Sequence, residues 1–144
     1  MRYQHDIIID LPLAKVIELF DNPENLKHWQ PGFISIEHFE GRPGEPGSKA
    51  RLKYDMNGRQ IEMIETITNR NLPHEFDGTY EAPNIVNHIW NRFETVDGDR
   101  TRWTSENEFK FSGLMRFLAF LMPNAFKKQS YQYMVNFKAF AERG

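Results

Sequence analysis

Glu65 is one side chain in this sequence that could transfer a proton. It shares strand parity with Ile61, Met63 and Ile67, which predicts that it points into the protein with them. Burial without a partner would raise the pKa of its carboxyl and make it a proton carrier. The structural alternative is an ion pair with an Arg or Lys at the end of the sheet. Glu62 has the opposite parity, so the two do not form a facing carboxylate pair.

Hydroxyl, amide and indole groups are predicted to share that interior with Glu65. An apolar wall carrying a few hydrogen-bonding groups is the usual lining of a ligand pocket. The candidate ligand-binding residues are Tyr54, Glu65, Tyr80, Asn91, Trp103, Ser105 and Asn107 on strands, with Phe126, Ser130 and Tyr133 on the last helix. The alternative is that their polar groups satisfy one another and the backbone in a filled core.

Strand parity decides which of these side chains point inward. Ala50, Leu52, Tyr54 and Met56 alternate with charged residues, so this set faces in. By the same alternation the inner set of the last strand is Trp103, Ser105, Asn107, Phe109 and Phe111, and Phe76 and Tyr80 point in beside it. In residues 85–96 the set containing Ile89, Asn91 and Phe93 is favoured, but the opposite set of Val86, His88 and Trp90 is apolar enough to leave that strand open.

Other arrangements that could support catalysis or metal binding are weaker. The five histidines are scattered and none forms a metal-spaced pair, so we expect no metal and no cofactor. The chain has no cysteine, which excludes disulfides and thiolate sites. A triad of Ser105, His88 and Asp77 can be drawn on paper, but no nucleophile-elbow sequence supports it.

Periodicity predicts the elements that must position these groups. Residues 3–10 alternate as a strand, and apolar residues at helical spacing follow from Pro12 to Asp21. Asn22 before Pro23 predicts the cap of a second, short helix that ends at Pro31-Gly32. Six strand patterns follow at 33–40, 48–56, 60–68, 75–82, 85–96 and 101–111, separated by turn signals that include Asn57-Gly58 and a Gly- and Pro-rich loop at 41–47. This order predicts an antiparallel meander, with the 41–47 loop at one end of the sheet beside a possible cavity mouth.

The last predicted element is a long amphipathic helix over residues 113–143. Its first apolar stripe is Leu114, Phe117, Leu118, Leu121, Met122 and Ala125, and its second is Phe126, Ser130, Tyr133, Met134, Phe137 and Ala141. We expect both stripes to be buried, and Pro123 to kink one helix rather than separate two. The apolar run 114–122 is about half the ~20 residues that a membrane-spanning helix needs.

Composition sets the outer limits of function. With 144 residues, 40% hydrophobic residues and a net charge of -2, the chain is predicted to form one domain, 1–144, with no nucleic-acid partner. Residues 1–10 lack the apolar segment of a secretory signal, so we expect a cytoplasmic protein. Oligomeric state is open.

Several short segments resemble those of a known superfamily. These are IIIDLP at 7–12, Val16, FDNPEN at 20–25, WQPG at 29–32 and FETVDGDRTR at 93–102, which leads into the last helix. The chain is similar to the polyketide cyclase/dehydrase and lipid-transport families of the START/Bet v 1-like (SRPBCC) superfamily. This resemblance implies an α+β helix-grip fold, in which a strongly bent seven-stranded antiparallel sheet (β-α-α-β6-α) wraps around the C-terminal helix. It also implies an elongated cavity between sheet and helix.

The resemblance specifies the fold more sharply than the function, because the shared segments are strand, cap and turn signals. Asp99 stands where the family usually has a second Gly, which affects only the geometry of that turn. We expect binding or carriage of a hydrophobic small molecule, such as a lipid, quinone, sterol or polyketide-like compound. The alternative is a polyketide cyclase, aromatase or dehydratase in which Tyr54, Tyr80 or Glu65 moves protons. An interaction module of the Hsp90-activator type shares the fold class, but no residue singles it out.

Overall fold

One antiparallel sheet of seven strands organises the protein, as seen in a computed structural model that describes residues 1–143. The strands are β1 Arg2–Ile9, β2 Phe33–Glu40, β3 Lys49–Met56, β4 Arg59–Asn71, β5 Glu75–Ala82, β6 Ile85–Asp97 and β7 Arg100–Phe111. Their order across the sheet is β1-β7-β6-β5-β4-β3-β2, so the predicted meander is confirmed and β1 pairs with its last strand. The sheet is open, with β1 and β2 at its two edges.

The first helices lie between β1 and β2, where the sequence predicts them, and the others follow the last strand. Helix α1 spans Leu13–Phe20, a 3₁₀ turn spans Pro23–Asn25, and α2 spans Leu26–Trp29. The predicted cap is confirmed, because Asn22 Oδ1 accepts a hydrogen bond from the backbone N–H of Glu24 at 3.0 Å. After β7 come α3, Gly113–Leu121, and α4, Pro123–Glu142.

Asn57 and Gly58 form the tight turn between β3 and β4. Both have the positive φ that a type I′ turn requires, 56° and 85°. The side chain of Asp55 accepts from the N–H of Gly58 at 2.9 Å and braces the turn. The paired register that follows places Glu65 opposite Ala50 on β3 and opposite Tyr80 on β5.

The buried core joins α4 to the sheet and to the first two helices. Phe137 of α4 has no exposed surface, and its ring lies 5.5 Å from that of Trp103 and 5.3 Å from that of Trp29. The other core members are Ile9, Val16, Phe93, Met134 and Ala141. Face-to-edge packing of large aromatic rings contributes beyond the area that it buries, so this cluster fixes α4 on the inner face.

The predicted strand parities are confirmed on the inner face. Leu52 and Tyr54 on β3 are buried, as are Trp103, Ser105 and Asn107 on β7. On β6, the strand left open by the sequence, Asn91 and Phe93 are buried, whereas His88 stacks on Trp90 on the other face. Alternation therefore orders the inner wall of the sheet correctly.

The C-terminal helix is two helices, not one kinked helix as predicted. Met122 separates them with φ -131° and ψ 57°, which lie outside the helical region. Its N–H closes α3 by donating to Leu118 O at 3.0 Å, and Pro123 then starts α4 at a position where its missing N–H costs nothing. The ring of Pro123 also disfavours a helical conformation at the residue before it. The proline therefore ends one helix and begins another.

The prediction that the stripe of α3 is buried was wrong. Ala119 and half-buried Met115 face the protein, while the predicted buried residues point outward. Their exposed fractions are 70% for Leu114, 59% for Phe117, 37% for Leu118, 57% for Leu121 and 56% for Met122, and Ala125 is also exposed. A helical stripe shows which residues share a face, but it does not show what covers that face. None of the helices described in residues 1–143 is long and apolar enough to cross a bilayer.

The two predicted-inward phenylalanines of α4 should respond differently to truncation. Phe137→Ala should cost roughly 3 to 5 kcal/mol, since a fully buried ring leaves a cavity in the core. Phe126 is only half-buried against the rings of Phe109 and Phe111, so Phe126→Ala should cost below about 2 kcal/mol. Urea unfolding of both variants checks this. Equal and large losses at the two positions would contradict it.

Candidate functional site

A pocket of about 250 Å³ lies between the inner face of β2 to β5 and the segment carrying α1 and α2. Its apolar lining includes Phe20, Leu26, Trp29, Leu52, Ile67 and Phe76. Pro43 and Gly44 of the Gly- and Pro-rich loop also line it, as the position of that loop at one end of the sheet suggested. The apolar wall and the adjoining loop are typical of a small-molecule site.

Three of the predicted site residues come together in this pocket. Glu65, Tyr80 and Tyr54 lie on the adjacent strands β4, β5 and β3, and all three line the pocket. The hydroxyl of Tyr80 donates to Glu65 Oε2 at 2.8 Å, and that of Tyr54 donates to Gln30 Oε1 at 2.7 Å. The partner of Glu65 is therefore a tyrosine rather than the Arg or Lys considered from sequence.

Burial governs the proton affinity of this cluster. Loss of water raises the pKa of Glu65, and the hydrogen bond from Tyr80 offsets part of that rise by favouring the carboxylate. Burial and then the charge of Glu65 raise the pKa of Tyr80 well above its ordinary value. Because Glu65 lines the pocket, the surface that it keeps faces the pocket space. A neutral Glu65 could donate a proton there, and a charged one could accept it.

Trp29 adds a hydrogen-bond donor that has no protein acceptor. Its indole lines the pocket and is 7% exposed, and Nε1 has no hydrogen-bond partner within residues 1–143. A buried donor left without an acceptor costs free energy, so such groups commonly serve a ligand or a water molecule. Trp29 and Gln30 were not among the predicted site residues, although the WQPG segment that contains them was one signal of family resemblance.

An ion pair joins the two sides of the pocket. Arg70 on β4 makes two hydrogen bonds to the carboxylate of Asp21 just after α1, at 2.7 and 2.9 Å. Both residues line the pocket, and Arg70 Nη1 also approaches Gly44 O at 3.5 Å. The guanidinium thus ties α1, β4 and the 41–47 loop together. Its charge is matched by Asp21, which leaves it poorly placed to hold an anionic ligand.

Four other predicted residues lie on the inner faces of β6 and β7, where they contact one another. Trp103 Nε1 donates to Asn91 Oδ1 at 2.9 Å, and Asn107 Nδ2 donates to Ser105 Oγ at 3.4 Å. Within the described part of the chain, none of these four residues lines the pocket. A ligand-binding role for them stays a prediction.

Two of the three predicted residues of α4, Phe126 and Ser130, bind Tyr3 of β1, whereas the third, Tyr133, lies near Tyr54. Tyr3 on β1 donates its hydroxyl proton to Phe126 O at 3.0 Å, and Ser130 Oγ lies 2.6 Å from the same hydroxyl oxygen. Since the phenol proton is used on the carbonyl, Ser130 donates to Tyr3. Tyr133 instead lies close enough to Tyr54 to raise the pKa of that phenol, after the larger effect of burial. No described residue of α4 lines the pocket, so the cavity expected between the sheet and the C-terminal helix lies instead between the sheet and the segment of α1 and α2.

The triad considered from sequence is not assembled. His88 stacks on Trp90 on the outer face of β6, whereas Ser105 lies on the inner face of β7. Asp77 is engaged by Arg92 at 2.6 Å. Within the described residues no cluster of three His, Asp or Glu side chains is arranged to hold a metal ion.

Comparison with known proteins gives a family and a fold. A family described as polyketide cyclase/dehydrase and lipid transport matches residues 1–142. A search of curated proteins found no match.

Several solved structures share the fold over nearly the whole chain. The aromatase/cyclase ZhuI from Streptomyces sp. R1128 has a TM-score of 0.82 at 18% identity, covering 99% of this chain and 94% of its own. Ara h 8.0201 has a TM-score of 0.76 at 15% identity, covering 100% and 99%. The di-domain aromatase/cyclase StfQ of the steffimycin pathway has a TM-score of 0.73 at 16% identity, covering 98% of this chain and 45% of its own. At these identities the similarity establishes the fold alone.

The free energy of unfolding should depend on pH in a way that reflects the burial of Glu65. Because burial raises its pKa in the folded protein, Glu65 contributes stability that is complete below the unfolded pKa of about 4.3 and is lost as pH rises through the folded pKa. The Glu65→Gln variant does not ionise there, so wild type should lose stability relative to this variant as pH rises from about 4.3 through the folded pKa. Urea unfolding across that range measures the difference.

Glu62→Gln is the matched control. Glu62 lies on the same strand, is exposed and pairs with Arg51 at 2.7 Å, so this change also removes one carboxylate from β4. If the difference between wild type and Glu65→Gln is the same at every pH, Glu65 is not held in the environment described.

Proposed function

This chain belongs to the polyketide cyclase/dehydrase and lipid transport family, and from that premise we propose that it binds and carries a hydrophobic small molecule in the pocket beside Glu65. The ligand classes considered are lipids, quinones, sterols and polyketide-like compounds. The observation that carries the proposal is an apolar pocket of about 250 Å³ with a small number of hydrogen-bonding groups in its wall. Burial of apolar ligand surface in such a wall supplies the binding free energy.

The polar groups of the pocket favour a neutral ligand that carries oxygen. Trp29 Nε1 offers a donor, and Glu65 offers a donor when protonated. The guanidinium of Arg70 is already neutralised by Asp21. Among the described residues that line the pocket there is no Lys and no unpaired Arg, and a carboxylate ligand would be repelled by an ionised Glu65. Quinone or ketone oxygens and uncharged hydroxyls fit these groups better than an ionised fatty acid does.

The volume of the pocket limits how much of a ligand it encloses. Ligand pockets commonly measure about 300 to 1,000 Å³, so a pocket of about 250 Å³ lies just below that range. We infer that an oxygenated ring, or the oxygenated end of a longer lipid, enters first and meets Trp29 and Glu65. A cytoplasmic location for this carrier remains the proposal made from sequence.

A second candidate function is catalysis of the cyclase or dehydratase type. The pairing of Glu65 with Tyr80 favours it, since a carboxyl whose pKa is raised by burial is a better general acid-base group than a solvated one. In this function the same pocket would hold a polyketide-like substrate, and Glu65 would transfer a proton to or from it. Glu65→Gln separates the two functions, because turnover needs the ionisable group and binding does not.

Ligand uptake is the first test of the carrier function. A naphthoquinone, a sterol, an aromatic polyketide and a fatty acid are each added to the purified protein, which is then melted and examined by native mass spectrometry. A ligand at ~100 times its Kd should raise stability by roughly 2.7 kcal/mol. We expect a neutral oxygenated compound to stabilise the protein more than the fatty acid does. If none of the four binds or shifts the melt, the proposal loses its basis.

Removal of one hydrogen-bond donor tests the binding geometry. Trp29→Phe keeps an aromatic ring but removes the N–H, so it should weaken binding of the neutral ligand by up to about tenfold. The smaller ring also leaves a cavity in the core and lowers stability, so affinity is measured per folded molecule. Trp90→Phe is the control, because Trp90 lies on the outer face beneath the guanidinium of Arg2. Equal affinities for Trp29→Phe and Trp90→Phe would exclude Trp29 from ligand recognition.

A further inference from the structure

Helix α3 presents a continuous apolar face to the outside of the protein. Phe120 is 80% exposed and Leu114 70% exposed, and Phe117, Leu121 and Met122 are each more than half exposed. An open apolar groove of about 750 Å³, lined by residues that include Phe111, Phe117 and Phe120, runs beside the helix. Monomeric proteins rarely expose apolar patches of this kind unless another surface covers them.

The charge around α3 indicates what covers it. Residues 109–141 contain five of the 18 Lys and Arg residues, whereas all 20 Asp and Glu residues lie elsewhere in a chain of net charge -2. Arg116, Lys127 and Lys128 are exposed and form no salt bridge within residues 1–143. Arg116 lies on α3 and beside its groove, and Lys127 and Lys128 lie in the first turns of α4. An apolar helix face followed by unpaired basic residues is the pattern of segments that bind an anionic lipid surface.

The dimensions of α3 place it on a bilayer rather than through one. Its nine residues measure about 13 Å, less than half of the hydrocarbon thickness. Ala119 and Met115 keep the opposite side of the helix against the protein, so the exposed side is free to enter the lipid. The break at Met122 lets α3 project while α4 stays on the sheet.

We propose that α3 docks the protein on anionic membranes, with Leu114, Phe117, Phe120 and Leu121 among the acyl chains. Arg116, Lys127 and Lys128 then contact lipid phosphates. A second copy of the chain fits this face less well, because a two-fold interface brings the same basic residues of both copies together. Docking on the membrane is separate from the pocket, which lies at β2 to β5, so either property can fail without the other.

Vesicle flotation tests the proposal on the unliganded wild-type chain. Vesicles of phosphatidylcholine alone are compared with vesicles that also contain phosphatidylglycerol, at low salt and at about 1 M salt, where the Debye length falls to about 3 Å. We expect flotation with the anionic vesicles at low salt and its loss with neutral vesicles or high salt. Failure to float with anionic vesicles at low salt would overturn the proposal.

Two substitutions separate the apolar and the basic contributions. Phe120→Glu should weaken flotation by at least about tenfold, because it removes a large apolar side chain from the lipid-facing side. Each of Lys127→Gln and Lys128→Gln should weaken it about fivefold. All three side chains are exposed, so unchanged melting curves are expected and are measured alongside.

Phe39→Glu is the matched control for charge and residue type. Phe39 is 44% exposed on β2, away from α3, and its variant should float as wild type does. Equal flotation of Phe120→Glu and wild type would overturn the proposal. So would sedimentation equilibrium that shows a wild-type dimer, broken by Phe120→Glu, together with no vesicle binding, since a second copy would then cover this face.

Discussion

Packing of Phe137 against Trp29 and Trp103 is the interaction on which the rest of the structure depends. It joins α4 to the sheet through Trp103 and to α2 through Trp29, and Phe20 of α1 completes the contact at 5.9 Å. Without it, α1 and α2 would lose the surface that holds them at a fixed distance from β2 to β5. The pocket exists because these aromatic rings fill one part of the interior and hold the helices apart from another. Rigid packing around a site is what allows a few polar groups to keep a defined geometry.

The inner wall of the sheet could be predicted from sequence because its rule is local. A period of two residues determines which side chains share a face, and the tight Asn57-Gly58 turn fixes the register of the neighbouring strands. Together they place Glu65 on the inner face opposite Ala50 without any knowledge of the helices. The pairing of Glu65 with Tyr80 depends on the separate register of β4 and β5, which is shifted between Ile67 and Asn69. The opposite wall follows no local rule. Trp29 and Gln30 reach the pocket through the way in which α2 docks, a tertiary relation that no periodicity encodes. For the same reason the apolar stripe of α3 predicted correctly which residues share a helix face, but it did not predict that this face is exposed.

Glu65 shows how a pocket and a stable fold make opposing demands. A carboxyl deprived of water destabilises the folded state when it is charged, and the hydrogen bond from Tyr80 offsets only part of that cost. An apolar residue at this position would pack without any such cost. Proteins keep unfavourable groups of this kind where a site needs them and compensate elsewhere, here through the aromatic core. The polar pairs inside β6 and β7 differ, because Asn91 and Trp103 satisfy each other and are consistent with a purely structural role.

The single non-helical residue Met122 also affects how this protein can change over evolutionary time. Since α4 begins afresh at Pro123 and is held by Tyr3 and Phe137, the identity of α3 has little influence on its register. Substitutions on the exposed face of α3 therefore change the stability of the fold little, but they change directly the contacts that this face can make. The two segments can accordingly diverge at different rates. A lineage could change the outer face of α3 while the pocket and the core remained under unchanged selection.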